Sequence, residues 1–214
     1  MPARLIVMAS GSGTLLQALL DAAQEPSYPA HVVAVISDRG DSQALRRAVA
    51  HGVAAHAVVM ADFGDRAGWD LALTETVADR EPDLIVLAGF MKIVSPTFLQ
   101  RFPGRVINSH PALLPAFPGA HAVRDALNAR VPVTGASVIW VDEGVDTGEV
   151  IAQREVPVLA EDDESSLHER IKVAEREMLV HVVAELITSQ TLSSKDRRSE
   201  DHSTGVAPAG NVQS

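Results

Sequence analysis

Arg4-Leu5-Ile6-Val7-Met8-Ala9-Ser10-Gly11-Ser12-Gly13-Thr14-Leu15-Leu16 opens this chain and decides how the rest is read. Residues 4–9 are an apolar run of strand length. Gly11 and Gly13 let the backbone bend, and Leu15, Leu16, Leu19 and Leu20 recur at helical spacing. Strand, glycine turn and helix in that order begin a βαβ unit. The alternation continues downstream. His31–Ser37 reads as a second strand, and Ser42 caps a helix that Gly52 stops. Val53–Met60 reads as a short strand and Asp65 to about Arg80 as a helix. Asp83–Ala88 is continuously apolar, as a strand buried on both faces must be. Ser95-Pro96 is an N-cap followed by proline at the first helical position. Arg105–Asn108 is the next strand. Regular alternation implies parallel strands joined by right-handed crossovers.

After Pro118 the pattern changes. Ala120–Asn128 reads as a short helix. Thr134–Val141 and Glu149–Val156 read as strands paired antiparallel across the loop Asp142–Gly148. Ser166-Leu167-His168-Glu169 has the form of a capping box opening a long amphipathic helix to about Ile187. The expected fold is therefore α/β: a Rossmann-like, open, mostly parallel sheet flanked by helices, with an antiparallel addition in the C-terminal half. A single domain is expected over 1–192, with a phosphate-binding half (about 1–105) and a catalytic half (about 106–192). Residues 193–214 are polar, mixed in charge and poor in large apolar side chains, so a disordered tail is expected there.

Composition narrows the function. The 18 Lys and Arg against 28 Asp and Glu leave a formal charge of −10, which repels nucleic-acid phosphates. Aromatic residues are only 4%, too few for base-stacking platforms. No apolar run approaches the roughly 20 residues that span a bilayer. The chain has no Cys, hence no disulfide framework and no thiolate metal site. The expectation is a cytoplasmic protein that binds neither nucleic acid nor membrane.

Several motifs carry chemistry. Gly11-Ser12-Gly13-Thr14 sits between a strand and a helix, where free N–H groups and the helix dipole favour an anion. A plain tight turn is the alternative. Leu16 stands where a dinucleotide fingerprint would have its third glycine, although Asp38 at the end of the second strand keeps a nicotinamide-dependent dehydrogenase open. Asn108-Ser109-His110-Pro111-Ala112-Leu113-Leu114-Pro115 joins an amide to an imidazole, and Asp146 follows later. Asn can donate to an oxygen gaining negative charge, His can carry a proton at neutral pH, and Asp can orient that His. Taken alone, Asn-x-His before two prolines also reads as a structural strand end. Gly89-Phe90-Met91-Lys92-Ile93-Val94 follows the most apolar strand and reads, by patterning alone, as core filling rather than as the wall of a pocket for a flat ligand. Asp142–Gly148, with three acids and two glycines, reads as a metal loop or a solvated loop, although its spacing is not that of an EF-hand. His31, His51, His56, His121, His168, His181 and His202 show no metal-ligand spacing.

Taken together over residues 4–187, these motifs resemble the phosphoribosylglycinamide formyltransferase family of folate-dependent enzymes. The likeness rests on Ser10–Thr14, Leu87–Val94, Asn108–Gly119, Asp142–Gly148 and Glu169-Arg170-Ile171-Lys172-Val173-Ala174-Glu175. It implies transfer of a formyl group from 10-formyltetrahydrofolate, as co-substrate, to glycinamide ribonucleotide, with no metal. It implies a catalytic trio of Asn108, His110 and Asp146. Gly11, Ser12, Gly13 and Thr14 would hold the nucleotide's phosphate with Lys172, Glu175 its ribose, and Pro111 and Gly119 its glycinamide end. Leu87, Met91, Lys92, Ile93 and Val94, with Val141, Asp142, Glu143, Gly144 and Val145, would wall the folate. A homodimer is one assembly left open.

The sequence departs from the family pattern at three places. Thr14-Leu15 stands where Ser-Asn is usual, Lys92 replaces a common arginine, and Ile139 stands where many members have histidine. A formyltetrahydrofolate deformylase is the nearest alternative, but such enzymes carry an extra N-terminal domain and here the first strand begins at Arg4. A methionyl-tRNA formyltransferase would need a basic C-terminal domain. A non-catalytic phosphate-binding module explains the glycine turn but gives Asn108, His110 and Asp146 nothing to do.

Overall fold

The computed structural model describes residues 1–189 in full and the backbone of residues 190–201. Its centre is a seven-stranded sheet, counted among the described residues, in the order β3-β2-β1-β4-β5-β6-β7. The strands are β1 (Ala3–Met8), β2 (Ala30–Ser37), β3 (Ala54–Ala57), β4 (Leu84–Leu87), β5 (Val106–His110), β6 (Val133–Trp140) and β7 (Val150–Pro157). The first five run parallel. β6 pairs antiparallel with β5, and β7 with β6. The expected α/β sheet with its antiparallel addition is the observed one.

Alternation along the strands builds a core on each face. Leu5, Val7 and Ala9 pack with α1 (Thr14–Ala22), α2 (Gln43–Ala50) and α6 (Glu164–Asp201). Ile6 and Met8 pack on the other face with α3 (Arg66–Ala78) and α4 (Pro96–Arg101). β5 follows the same rule, with Ile107 in the first cluster and Val106 in the second. Trp69 of α3 is fully buried, and its indole N–H donates to the Val58 carbonyl at 2.7 Å, tying that helix to the β3 edge. Tyr28 donates to the Val180 carbonyl at 2.9 Å and joins the end of the first βα unit to α6.

The boundaries differ from the sequence reading in informative ways. β5 runs on to His110, because its ladder with β6 pairs Asn108 with Ile139 and His110 with Ser137. β3 is shorter than Val53–Met60 and gives way to a 3₁₀ turn at Met60–Asp62. Ser42, Asp65 and Ser95 each cap a helix by accepting from the backbone N–H three residues on. The capping box of α6 lies one turn before the expected one. Asp163 Oδ1 accepts from the Ser166 N–H at 2.8 Å, and Ser166 Oγ accepts from the Asp163 N–H at 3.1 Å. Asp163 is the better cap, since a carboxylate there also meets the positive end of the helix dipole. α5 (Ala122–Asn128) starts after His121, two residues past Ala120. α6 continues past Ile187 to Asp201. A polar segment can extend a helix already nucleated, because each added residue gains a hydrogen bond without a new nucleation cost. The rest of the segment expected to be disordered, 202–214, lies outside the described residues. No helix among the described residues is long and apolar enough to cross a membrane.

Gly135 lets β6, β7 and the proline-rich turn approach closely. A Cβ on Gly135 of β6 would lie 2.1 Å from the Arg154 carbonyl oxygen of β7 and 2.7 Å from Leu113 Cδ2. Neither the paired backbone nor the proline-rich turn can withdraw cheaply. Gly135→Ala is therefore expected to cost about 1–3 kcal/mol by overpacking. Urea unfolding measures this, and an unchanged midpoint would contradict the packing described.

Candidate active site

Asn108 and His110 lie two apart on β5, so both side chains leave the same face of the sheet. Asp146 comes from the loop between β6 and β7 and closes on them. Its Oδ1 accepts from Asn108 Nδ2 at 3.2 Å. Its Oδ2 lies 3.3 Å from His110 Nδ1 and accepts from the Gly119 N–H at 2.8 Å. The His110 and Asp146 side chains are only 5% and 11% exposed, so these contacts are made largely out of water. His110 Nε2 faces the Phe117 carbonyl oxygen at 2.8 Å. Both ring nitrogens are thus engaged, Nδ1 beside the Asp146 carboxylate and Nε2 at the Phe117 carbonyl. Asn108 has a second amide N–H left over after serving Asp146. The arrangement leaves one Asn108 N–H for a developing oxyanion, with the His110 ring and a carboxylate beside it.

The chain takes unusual conformations to build this. Asp146 has φ 53° and Phe117 φ 54°, left-handed values rare for residues other than glycine. Gly119 has φ 87°, where glycine fits without strain. The turn between them is braced on the antiparallel pair. Ser137 Oγ donates to the Ala112 carbonyl at 2.7 Å and accepts from the Leu114 N–H at 3.0 Å. Gln153 Nε2 donates to the Leu114 carbonyl at 2.8 Å. In the other loop, Asp142 Oδ1 accepts from the Gly144 N–H and the Thr147 hydroxyl, which folds Asp142–Gly148 on itself.

The glycine turn lies where the strand order reverses, between the carboxyl ends of β1 and β4, the usual ligand crevice of open α/β sheets. Gly13 has φ 67°, and a Cβ there would lie 2.9 Å from Ala44 Cα. α2 packs against the turn and takes up its carbonyls. The Ala44 N–H donates to Gly11 O at 3.1 Å, and Arg47 Nε donates to Ser12 O at 2.8 Å. With no side-chain cap on α1, its first N–H groups are left for an anion. Leu15, where the family pattern has a polar residue, is buried in the core and cannot reach such a ligand. A shallow groove of about 300 Å³ runs from this turn along α1, lined by Thr14, Gln17, Ala18, Asp21, Arg47 and Arg176. Lys172 lies on α6 nearby, donating to Glu169 at 2.7 Å.

Across the crevice, the Met91 N–H donates to Ser10 Oγ at 2.7 Å and the Ser10 N–H to Gly89 O at 3.0 Å. Met91 and Ile93 are 65% and 60% exposed, whereas Leu87 and Val94 are buried beneath them. Large apolar side chains exposed at strand ends suit a ligand wall better than core filling. Lys92 Nζ stands 4.0 Å from the buried Asp38 carboxylate. That pairing gives Asp38 a use other than holding a cofactor's ribose. Glu143, Gly144 and Val145 are exposed on the opposite rim, with Val141 half-buried at its root. Pro111 is half-buried beside His110, and the Gly119 amide is spent on Asp146. Ile139, paired with Asn108 on the ladder, makes the floor beside the amide apolar.

Ser109 points the other way. On the α6 face its Oγ donates to Glu175 Oε1 at 2.7 Å, both residues being buried. Burial pushes the Glu175 carboxyl up to about 7, against the opposing pull of Ser109, Lys172 and Arg176. Ser109, Arg47, Arg176 and the Phe117 carbonyl were not singled out from sequence. For Ser109 a signal existed, because a hydroxyl in a buried strand must find a partner. The others depend on which helices the fold brings together.

Comparison with known proteins gives the family and the fold. The formyl transferase family profile matches residues 3–183. A phosphoribosylglycinamide formyltransferase of Mycobacterium tuberculosis is 57% identical over 187 residues, covering 87% of this chain and 86% of the relative. The Escherichia coli protein of the same name is 38% identical, over 86% of this chain and 85% of its own. A crystal structure of glycinamide ribonucleotide transformylase 1 from Symbiobacterium toebii superposes with a TM-score of 0.86 at 41% identity, covering 88% of this chain and 89% of that one.

The buried Glu175 has a consequence for stability. Its carboxyl is raised to about 7 in the folded chain from 4.5. The folded state then binds the proton more tightly than the unfolded state, and stability falls as pH rises through that window. Glu175→Gln removes the charge and keeps the shape. The unliganded variant should melt above the wild type at pH 8, with the gain vanishing toward pH 4.5. Equal melting temperatures across that range would contradict the burial described.

Proposed function

This chain belongs to the formyl transferase family, and from that premise we propose that it moves the formyl group of 10-formyltetrahydrofolate to the amine of glycinamide ribonucleotide, in the cytoplasm, for purine synthesis. The observation carrying the reading is the convergence of Asn108, His110 and Asp146 at the end of β5. The amine attacks the formyl carbon and forms a tetrahedral oxyanion. Asn108 Nδ2 donates to that oxygen, and the protonated His110 ring joins it as Nε2 exchanges the Phe117 carbonyl for the oxyanion. Asp146 holds both donors by its two carboxylate oxygens, and it is placed to help a water carry the amine's proton to the departing folate nitrogen. The formyl group passes directly, with no covalent enzyme intermediate.

Substrate placement follows the two sides of the crevice. The phosphate sits on the N–H groups of Gly11–Thr14, with Lys172 supplying charge and Glu175 reaching the ribose. Pro111 and Gly119 line the glycinamide end. The folate's flat ring lies between Met91–Val94 and the loop 141–145, with Leu87 beneath. The phosphate half, about 1–105, and the catalytic half, about 106–192, thus meet over one sheet.

Removing a preorganised oxyanion donor typically costs on the order of 100-fold or more in kcat. His110→Ala and Asp146→Asn are each expected to lose at least that much while melting cooperatively. Steady-state rates with both substrates, beside thermal unfolding of each variant, provide the check. Near-normal turnover by either folded variant would overturn the assignment of the trio.

A further inference from the structure

β5 presents catalytic donors on one face and Ser109 on the other. Ser109 Oγ is 2.7 Å from Glu175 Oε1, and this bond links residues 66 apart in sequence. Glu175 is 3% exposed and Ser109 6%. Oε1 of Glu175 is taken by the serine. Oε2 accepts no hydrogen bond among the described residues, yet it is not one of the sealed, unpartnered side-chain atoms. One oxygen is anchored on the catalytic strand and the other remains available to a ligand.

We propose that Ser109 is a positioning residue for the nucleotide: its hydroxyl clamps the Glu175 carboxylate to β5, so that Oε2 faces the ribose diol on the strand that carries Asn108 and His110. This rests on the reading of Glu175 as the ribose ligand. Three physical reasons support it. A carboxylate in a buried site needs a donor to stay ionised, and Ser109 is the donor present. Only the ionised form keeps Oε2 a pure acceptor, whose two lone pairs can take the two hydroxyls of a diol while Oε1 takes the serine. Anchoring also removes side-chain freedom that binding would otherwise have to freeze.

The surroundings leave this role to Ser109. Lys172 and Arg176, on α6 itself, are the charged groups that favour the Glu175 carboxylate. Of the elements packed on α6, α1 offers Asp21, engaged with Gln17 and near His51. β7 offers Arg154, paired with Glu177, and the exposed Glu155. α5 offers Arg124 and Asp125, both exposed, and β2 offers His31. β6 carries no charge. β5 gives Ser109, with His110 on its far face.

The test compares wild type with Ser109→Ala, Ser109→Cys, Ser109→Thr and Glu175→Gln in steady-state assays from pH 5.5 to 9. For Ser109→Ala, KM for glycinamide ribonucleotide should rise roughly tenfold, the scale of one hydrogen bond to a charged group. kcat and KM for the folate should stay within about twofold. The acid limb of kcat/KM for the nucleotide reports the free enzyme. It should move up by roughly one pH unit, because loss of the donor favours the protonated acid. Cys, a weak donor of similar size, should behave like Ala if the alanine variant folds poorly, and Thr should restore both readouts. Substrate ionisations are common to all variants, so a difference between them belongs to the enzyme. An unmoved acid limb and KM in Ser109→Ala and Ser109→Cys, with nucleotide binding still lost in Glu175→Gln, would overturn the role of Ser109 and leave the ribose reading standing. Unchanged nucleotide KM in Glu175→Gln would overturn both.

Discussion

The site depends on one carboxylate. Asp146 receives Asn108, His110 and the Gly119 amide on its two oxygens, and so fastens three separate pieces of chain to one point. Hydrogen bonds to a charged group contribute about 1.5–3 kcal/mol each. That is enough to offset a left-handed conformation at Asp146, which costs on the order of 1–2 kcal/mol. Local strain coincides here with the carboxylate proposed to serve catalysis, as it often does at functional sites. The arrangement is set before any ligand arrives, which is what electrostatic stabilisation of a transition state requires.

β5 carries the consequence to the other side of the sheet. Its pleat sends Asn108 and His110 to the carboxylate of Asp146, and Ser109 between them to the carboxylate of Glu175. Two acids with different surroundings flank one short strand. Asp146 meets three donor groups. Glu175 is buried with a single hydroxyl, which is why its proton is held to about 7. The first environment fixes the position of the carboxylate beside Asn108 and His110. The second makes nucleotide binding, on the reading given above, sensitive to pH near neutrality.

Much of this was legible in the sequence, for physical reasons. Parallel strands buried on both faces read as continuous apolar runs, so β1, β2 and β4 stood out, and regular alternation gave their relation. Asn108, His110 and Asp146 were named through the family resemblance, because Asn-x-His before two prolines also reads as a structural strand end; the structure brings the three side chains together. What was hidden is what tertiary contact decides. The register of β6 against β5 carried the strand past Asn108 to His110, and nothing local marks that end. The cap of α6 went to Asp163 rather than Ser166, because two acceptable caps stood three residues apart and only the helix's start chooses. Arg47 meets the glycine turn from a helix 30 residues downstream of Gln17, its other partner. Met91 and Ile93 read as core by pattern, yet they lie exposed at the strand's carboxyl end, where the core stops and the crevice begins.

The central claim is that the Asn108–His110–Asp146 group delivers a formyl group to an amine and not to water. The direct measurement follows absorbance of a 10-formyl folate with purified protein, with and without glycinamide ribonucleotide. The account predicts turnover when the amine is present and none above background in its absence. Equal rates with and without the amine would identify a hydrolase and contradict it.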